Sequence, residues 1–123
     1  MTLLVVDGAN VVGSRPDGWW RDRAGAATRL RDALLPVAAG GLPDLPPPLE
    51  VVLVVEGKAR GVPGVEGVRV VAAPGSGDDT IVDLVAQARP RRTVVVTADR
   101  GLRERVEAQG AEVRGPRTLS PAY

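Results

Sequence analysis

The sequence predicts an α/β fold, with helices on both faces of a mainly parallel sheet and one domain over residues 1–123. Runs of four to six consecutive aliphatic residues recur along the chain, as in strands that are buried on both faces. Stretches with helical spacing separate most of these runs. The chain also contains only three aromatic residues, Trp19, Trp20 and Tyr123, so its core must consist of Val, Leu, Ile and Ala.

The predicted strands are the aliphatic runs themselves. The first, TLLVV, begins at residue 2, and the others include EVVLVV, VRVVAA and TVVVT. We place the five strands at residues 2–6, 50–55, 68–73, 93–97 and 111–113. The stretch GKARGVPGVEG between the second and third strands lacks a helical period, so a loop is expected there. The tail from Gly115 to Tyr123 is expected to be irregular.

Three helices are predicted from apolar residues that recur at spacings of three and four. The first runs from Trp19 to about Ala39, and Asp17 is a candidate for its N-cap. The second opens at PGSGDD and runs to about Ala88, and the third covers residues 100–109. Right-handed crossovers would wind these elements into a Rossmann-like three-layer sandwich with strand order near 3-2-1-4-5.

Composition narrows the chemistry that the chain can perform. It has no Cys and no His, which excludes disulfides and thiolate or imidazole metal sites. Its net charge of +1 does not suggest an unspecific polyanion binder. No apolar run is long enough to span a bilayer, and no signal-peptide pattern follows Met1, so we expect a cytoplasmic protein without a membrane partner.

Acidic residues follow the predicted strands at one edge of the sheet. In an open parallel sheet, ligands bind at the carboxyl ends of the strands, where the winding reverses. Asp7 ends the first strand, Glu56 ends the second, and Asp99 follows the fourth. Asp78 and Asp79 begin the helix after the third strand, which starts at the same edge. The topology therefore predicts that these five carboxylates converge.

A cluster of carboxylates is costly unless a cation accompanies it, since neighbouring negative charges raise one another's pKa. Oxygen ligands without His or Cys select a hard ion, Mg²⁺ or Mn²⁺. Such an ion can polarise a phosphoryl oxygen and supply hydroxide for attack on it. Each residue also has a simpler interpretation, because Asp78 and Asp79 could complement a helix N-terminus and Glu56 could be solvated. Asp83 could face either the site or solvent.

Three blocks of sequence together resemble the NYN domain, a branch of the PIN-like metal-dependent nucleases, and its small bacterial members in particular. The blocks are DGANVV at 7–12, SGDDTIVDL at 76–84 and TADRGLRERV at 97–106. The resemblance implies a PIN-like fold and hydrolysis of phosphodiester bonds, usually in RNA. It also implies that Asp7, Asp99 and one of the pair Asp78 and Asp79, for which we take Asp79, hold Mg²⁺ or Mn²⁺.

The same resemblance implies supporting roles for two further residues and one departure from the family pattern. Asn10 lies in the loop that shapes the site, and the Thr97 hydroxyl could bind a carboxylate or a phosphate. Arg103 stands where some NYN nucleases carry another acidic residue. A catalytically weak or inactive module that binds RNA or a nucleotide is therefore an alternative, as is a small-substrate phosphohydrolase. The stretch VVEGKARG resembles a Toprim motif, but TADRG lacks the second Asp that Toprim requires.

A basic rim is expected around the acidic edge, where it would bind the flanking phosphates of single-stranded or structured RNA. Of the adjacent tryptophans, we expect Trp19 to be exposed for stacking on bases and Trp20 to pack against the core. Whether the protein forms a homodimer is left open. The candidate substrate-binding residues are Arg15, Trp19, Arg21, Lys58, Arg60, Thr97 and Arg100.

Overall fold

A five-stranded parallel sheet forms the centre of the computed structural model, which describes all residues from Met1 to Tyr123. The strand order is β3-β2-β1-β4-β5, as predicted, and every neighbouring pair is parallel. The winding therefore reverses beside β1, which pairs with β2 on one side and β4 on the other. The strands are β1 (Thr2–Asp7), β2 (Leu49–Val55), β3 (Val68–Ala72), β4 (Thr93–Val96) and β5 (Glu112–Arg114).

Helices cover both faces of this sheet. None of them combines the length and the apolar character that a membrane crossing requires. Three short 3₁₀ turns, at Trp19–Arg21, Gly57–Ala59 and Pro116–Leu119, join the other elements. The α-helices are α1 (Gly8–Gly13), α2 (Arg23–Ala33), α3 (Leu35–Gly40), α4 (Gly77–Ala88) and α5 (Arg100–Ala108).

The core consists of two aliphatic clusters, one on each face of the sheet. Alternate residues of a strand point to opposite faces, so Leu4 and Val6 of β1 join one cluster while Leu3 and Val5 join the other. The first cluster lies under α1, α2 and α3, and the second lies under α4 and α5. The result is the predicted three-layer α/β arrangement.

The predicted helix over residues 19–39 is divided in the structure. Residues Trp19–Arg21 form a 3₁₀ turn, and α2 starts only at Arg23. The side chain of Asp22 accepts a hydrogen bond from Gly25 N at 2.9 Å, so Asp22, and not Asp17, is the N-cap. Pro36 lies in the first turn of α3, where its missing N–H requires no partner, and the chain begins a new helix there.

Three other segments can be compared with the prediction. Helix α1 was not predicted, because six residues are too few to display a helical period. The connection from β2 to β3 contains no α-helix, as expected, and Ala59 and Val62 cover the sheet there instead. In the tail, Leu119 is 1% exposed and fixes a 3₁₀ turn against the first cluster.

Gly8 allows α1 to start directly at the end of β1. A Cβ atom at this position would lie 2.5 Å from the carbonyl oxygen of Val54 and 3.2 Å from Cδ1 of Leu53. Since the first contact is with backbone of the neighbouring strand, neither side can move away cheaply. Glycine is therefore required at position 8, where β1 has ended and α1 begins.

We predict that Gly8→Ala lowers the free energy of unfolding by about 1–3 kcal/mol, the usual cost of overpacking a core. Gly40→Ala is the matched control, because nothing lies within 4 Å of a Cβ at that helical position. Urea denaturation followed by circular dichroism measures both changes. Equal stability of the two variants would contradict the role assigned to Gly8.

Candidate acidic site at the carboxyl edge of the sheet

Asp7 is the last residue of the central strand and the N-cap of α1. Its side chain is almost completely enclosed, since the residue is 5% exposed. Oδ1 accepts a hydrogen bond from Asn10 N at 3.4 Å, and Oδ2 accepts one from the Thr97 hydroxyl at 2.8 Å. Two donors from different segments therefore hold the carboxylate at the carboxyl edge of the sheet, where the winding reverses.

Thr97 and Asn10 also bind the loop that follows β4. The fully buried Thr97 hydroxyl accepts a hydrogen bond from Asp99 N at 3.1 Å. The Asn10 side-chain oxygen accepts one from Ala98 N at 2.8 Å. The loop is thus fixed against the turn between β1 and α1, and the position of Asp99 depends on the residues that hold Asp7.

Asp99 is the N-cap of α5, and its side chain is partly engaged by that helix. Oδ1 accepts a hydrogen bond from Leu102 N at 3.0 Å, whereas Oδ2 accepts none from the protein. Asp99 is solvent-exposed, in contrast to Asp7. One carboxylate oxygen of Asp99 is therefore available to a ligand at the edge.

Glu56 joins the end of β2 to the start of α4. Its Oε2 accepts a hydrogen bond from Gly77 N at 2.9 Å, so Glu56 supplies the acceptor that the side chain of Ser76 does not. Asp78 follows in the first turn of α4 and makes no hydrogen bond within the protein, although it is partly buried. This hydrogen bond fixes the Glu56 side chain, whereas the Asp78 side chain is free to change rotamer.

The charges that shift the pKa values of Asp7 and Asp78 indicate which carboxylates lie near one another. Burial raises the pKa of Asp7, the hydrogen bonds from Thr97 and Asn10 lower it, and the charges of Asp78 and Glu56 raise it again. Burial also raises the pKa of Asp78, followed by the charges of Asp99 and Glu56, which Arg105 opposes. We call Asp7, Glu56, Asp78 and Asp99 the acidic cluster.

Asp79 and Asp83 take different positions from the cluster. Asp79 forms an ion pair with Arg105 of α5 at 2.9 Å, and its side chain is 82% exposed. Asp83 is exposed on α4 and is not among the charges that shift Asp7 or Asp78. The structure therefore favours Asp78 over the expected Asp79 as the partner of Asp7. The charge of Asp78 acts on Asp7 whereas that of Asp79 does not, and no sequence pattern indicates that Arg105 faces Asp79.

The donor set fits a hard divalent cation by its chemistry, although the side chains do not form a complete coordination site. No three acidic side chains lie in an arrangement that could hold a metal ion. All donors are carboxylate oxygens, which suit Mg²⁺ or Mn²⁺. Burial raises the pKa of both Asp7 and Asp78, and neighbouring carboxylates raise the two pKa values further. Asp78 and Oδ2 of Asp99 accept no hydrogen bond from the protein, so they are the acidic groups free to join Asp7 as ligands.

The predicted basic rim is partly engaged in contacts within the protein. Arg15 donates to the carbonyl oxygen of Tyr123 at 2.6 Å, and the guanidinium of Arg21 lies 5.7 Å from the Trp20 ring centroid. Arg60 donates to the carbonyl oxygen of Gly57 at 3.2 Å. Lys58 and Arg100 are exposed and form no ion pair, so they remain the most accessible of the five predicted cations.

The two tryptophans have the opposite exposure from the one expected. Trp20 is 55% exposed, whereas Trp19 is partly buried and packs against the first aliphatic cluster. The rings meet edge to face with centroids 6.0 Å apart. The prediction was wrong because the 3₁₀ turn, and not an α-helix, sets the direction of each ring. Trp19 nevertheless lines a cavity, together with Arg23, which sequence analysis did not single out.

Arg103 is partly buried on α5, and its Nε is enclosed without a hydrogen-bond partner. An enclosed donor without an acceptor costs stability, so Arg103 is not a simple solvated cation of a surface helix.

The comparisons with known proteins establish the fold. No protein-family model matches the chain, and no curated protein sequence matches it. The chain is similar to a crystal structure of Rae1 (YacP) from Bacillus subtilis in its W164L form, with a TM-score of 0.79 and 20% identity over 97% of this chain and 72% of Rae1. A second Rae1 crystal structure gives a TM-score of 0.70 and 22% identity over 97% and 71% of the two chains. At this identity, the likeness shows a shared α/β fold.

We predict that Thr97→Val raises the pKa of Asp7 further, because the largest hydrogen-bond contribution that lowers it is lost. Stability should fall by about 1–3 kcal/mol, since Asp7 Oδ2 and Asp99 N both lose a buried partner. Carbon-detected NMR titration of the side-chain carboxyls measures the pKa. Thr97→Ser, which keeps the hydroxyl, is the control, and an unchanged Asp7 pKa in the Val variant would contradict the assignment.

A second prediction concerns the cost of the buried charge. A raised pKa in the folded state means that the ionised carboxylate destabilises the protein at neutral pH and that this penalty disappears as the pH falls through the folded pKa. Asp7→Asn, which keeps an N-cap side chain and removes the charge, should therefore raise the unfolding midpoint at pH 7 in EDTA.

Differential scanning fluorimetry at pH 7 and at pH 4 measures this difference. The advantage of Asp7→Asn should shrink at the lower pH, where the wild-type carboxyl takes up its proton. Asp83→Asn, at an exposed position outside the acidic cluster, should stay within about 2 °C of wild type at both values. A lower midpoint for Asp7→Asn at pH 7 would contradict the electrostatic account.

Proposed function

We propose that this protein is a divalent-cation-dependent phosphodiesterase that hydrolyses RNA. The observation that carries the proposal is the buried Asp7 carboxylate, held by Thr97 and Asn10 beside three further carboxylates from other segments. A fold gains no stability from carboxylates gathered at its ligand-binding edge, and acidic groups whose pKa is raised by burial and by neighbouring carboxylates are typical of catalytic sites. The PIN-like resemblance of the three sequence blocks agrees with this chemistry.

The cation would be Mg²⁺ or Mn²⁺, with Asp7, Asp78 and Asp99 as ligands and Glu56 beside them. When bound, such an ion polarises a phosphoryl oxygen and lowers the pKa of a coordinated water, which supplies the nucleophile. Thr97 keeps Asp7 fixed during the reaction, and α5 keeps Asp99 fixed through its first turn. Asp79 stays outside this set because of its ion pair with Arg105.

Asn10 is suited to bind the phosphate directly. Its side-chain oxygen accepts from Ala98 N, which fixes the orientation of the amide, and its side-chain nitrogen donates to no protein group. That nitrogen is therefore free to donate to a non-bridging phosphate oxygen next to Asp7. Asn10 would both hold the β4 loop and position the substrate.

Positive side chains around the edge would bind phosphates that flank the cleaved bond. Lys58 follows Glu56 after β2, and Arg100 follows Asp99 at the start of α5, so both flank the acidic cluster. Arg15, Arg21 and Arg60 could join them after releasing their present contacts. Because such contacts are with phosphates and not with bases, RNA binding should weaken with salt and depend little on sequence.

A module that binds RNA or a nucleotide without cleaving it is the second candidate. Two points favour it: no three carboxylates are arranged to hold a metal ion, and Arg103 stands where some of the NYN nucleases that the chain resembles carry an acidic residue. Salt-sensitive RNA binding with no product in any divalent cation would be its signature.

We predict cleavage of end-labelled single-stranded RNA by the purified protein in Mn²⁺ and none in EDTA. Asp7→Asn and Asp99→Asn should each reduce the rate roughly 100-fold or more, the scale on which lost transition-state contacts act. Both substitutions keep an N-cap side chain, so the helices that follow should form. Asp83→Asn should cleave at the wild-type rate, because its side chain lies outside the acidic cluster.

A thermal-shift measurement complements the cleavage assay. Mn²⁺ should raise the unfolding midpoint of wild type and of Asp83→Asn, but not that of Asp7→Asn, since only binding to the folded state stabilises it. Cleavage that persists in both Asp variants would identify a contaminating nuclease and contradict the proposal. RNA binding without cleavage in Mg²⁺ or Mn²⁺ would favour the second candidate.

A further inference from the structure

A cavity of about 400 Å³ opens beside the acidic cluster, on the face of the sheet that α1 and α2 cover. We call it the Trp19 cavity and define it by Gly8, Ala9, Val12, Trp19, Arg23 and Glu56, which lie in its wall. Its volume is within the range of small-molecule sites, and its wall is largely apolar with a few charged groups. Neither the sequence blocks nor the acidic cluster requires such a cavity.

The cavity is contiguous with the proposed reaction site. Gly8 and Ala9 line the cavity, and they follow Asp7 directly in the chain. Glu56 belongs to both places, because its charge raises the pKa of Asp7 and Asp78 while the residue also lines the cavity. A phosphate bound at Asp7 would therefore lie beside residues that line the cavity.

Two planar groups form one side of the cavity. Trp19 packs against the aliphatic core and against the edge of Trp20, so its ring is held in place. The guanidinium of Arg23 lies 5.4 Å from the Trp19 ring centroid. Unpaired bases stack on aromatic rings and on guanidinium planes, and Arg23 adds a positive charge that suits a phosphate-bearing ligand.

We propose that the Trp19 cavity binds one unstacked base of the RNA strand whose phosphate lies at the acidic cluster. This inference rests on the proposed function and defines its substrate as RNA that is unpaired at the cleavage site. A base inside a duplex cannot enter the cavity, whereas a base in a single strand can turn out of the stack. Glu56 Oε1, which accepts no hydrogen bond from the protein, is available to an N–H at the base edge.

The chain offers a direct optical test, since Trp19 and Trp20 are its only tryptophans. In Trp20→Phe, fluorescence reports Trp19 alone. We would titrate this variant, which retains Asp7, with an eight-nucleotide single-stranded RNA in Ca²⁺, a hard cation that takes oxygen ligands, and verify by gel that the RNA stays intact. The control ligand is an abasic ribose-phosphate strand of equal length and charge. The RNA should quench Trp19 saturably and bind at least about fivefold more tightly than the abasic strand.

Two substitutions locate the binding within the cavity. Ala9→Leu fills it from an exposed position of α1, and Arg23→Lys keeps the charge but removes the planar group. Each should weaken RNA binding about fivefold or more and leave the abasic strand unaffected. Ala24→Leu, exposed on α2 outside the cavity, is the matched control and should bind as the parent does. Circular dichroism checks that every variant is folded.

Equal affinity for the two strands, or unchanged RNA affinity in both Ala9→Leu and Arg23→Lys, would overturn the inference. So would a concentration-dependent dimer in sedimentation that Ala9→Leu converts to monomer, because the cavity would then receive a second copy. Failure of the two proposals is distinguishable. Cavity-dependent binding without Mn²⁺-dependent cleavage would reject only the proposed function, whereas cleavage with a KM that Ala9→Leu does not alter would reject only the base site.

Discussion

The hydrogen bond between Thr97 and Asp7 is the constraint on which the acidic edge depends. It joins the carboxyl ends of β1 and β4, the strands that flank the reversal of winding, and supplies one of only two donors to a nearly buried carboxylate. The same hydroxyl accepts from Asp99 N, and Asn10 links both loops through Ala98 N. Asp7 and Asp99 are therefore positioned by one network, and a change that displaces either residue displaces the other.

A second link of this kind connects β2 with α4. The first amide of α4 is bound by Glu56 and not by a capping side chain of its own, so the strand end determines where the helix begins. Asp78 is carried into the cluster by that helix start, while Arg105 on α5 holds Asp79 outside it. The packing of α4 and α5 on the second aliphatic cluster brings these carboxylates together, although their negative charges repel one another.

Much of the architecture could be predicted because it follows from patterns longer than one residue. Aliphatic runs identify the strands, the handedness of crossovers fixes their order, and the reversal beside β1 identifies the edge where Asp7, Glu56, Asp78 and Asp99 meet. Choices between neighbours could not be predicted. Asp78 and Asp79 point about 100° apart on one helix turn, and only the docking of α5 distinguishes them. The 3₁₀ turn that contains Trp19 and Trp20 is too short to produce a periodic sequence pattern, so their relative exposure could not be predicted either.

Glu56 belongs to both the acidic cluster and the wall of the Trp19 cavity. Its Oε2 holds α4, and its charge contributes to the electrostatic field around Asp7 and Asp78. The residue also lines the Trp19 cavity, and its Oε1 accepts no hydrogen bond from the protein. Under the proposed function, a phosphate at the acidic cluster and a base in the cavity would both lie beside this residue. One side chain would then link the two proposed sites, which favours an unpaired nucleotide as the unit that they accept together.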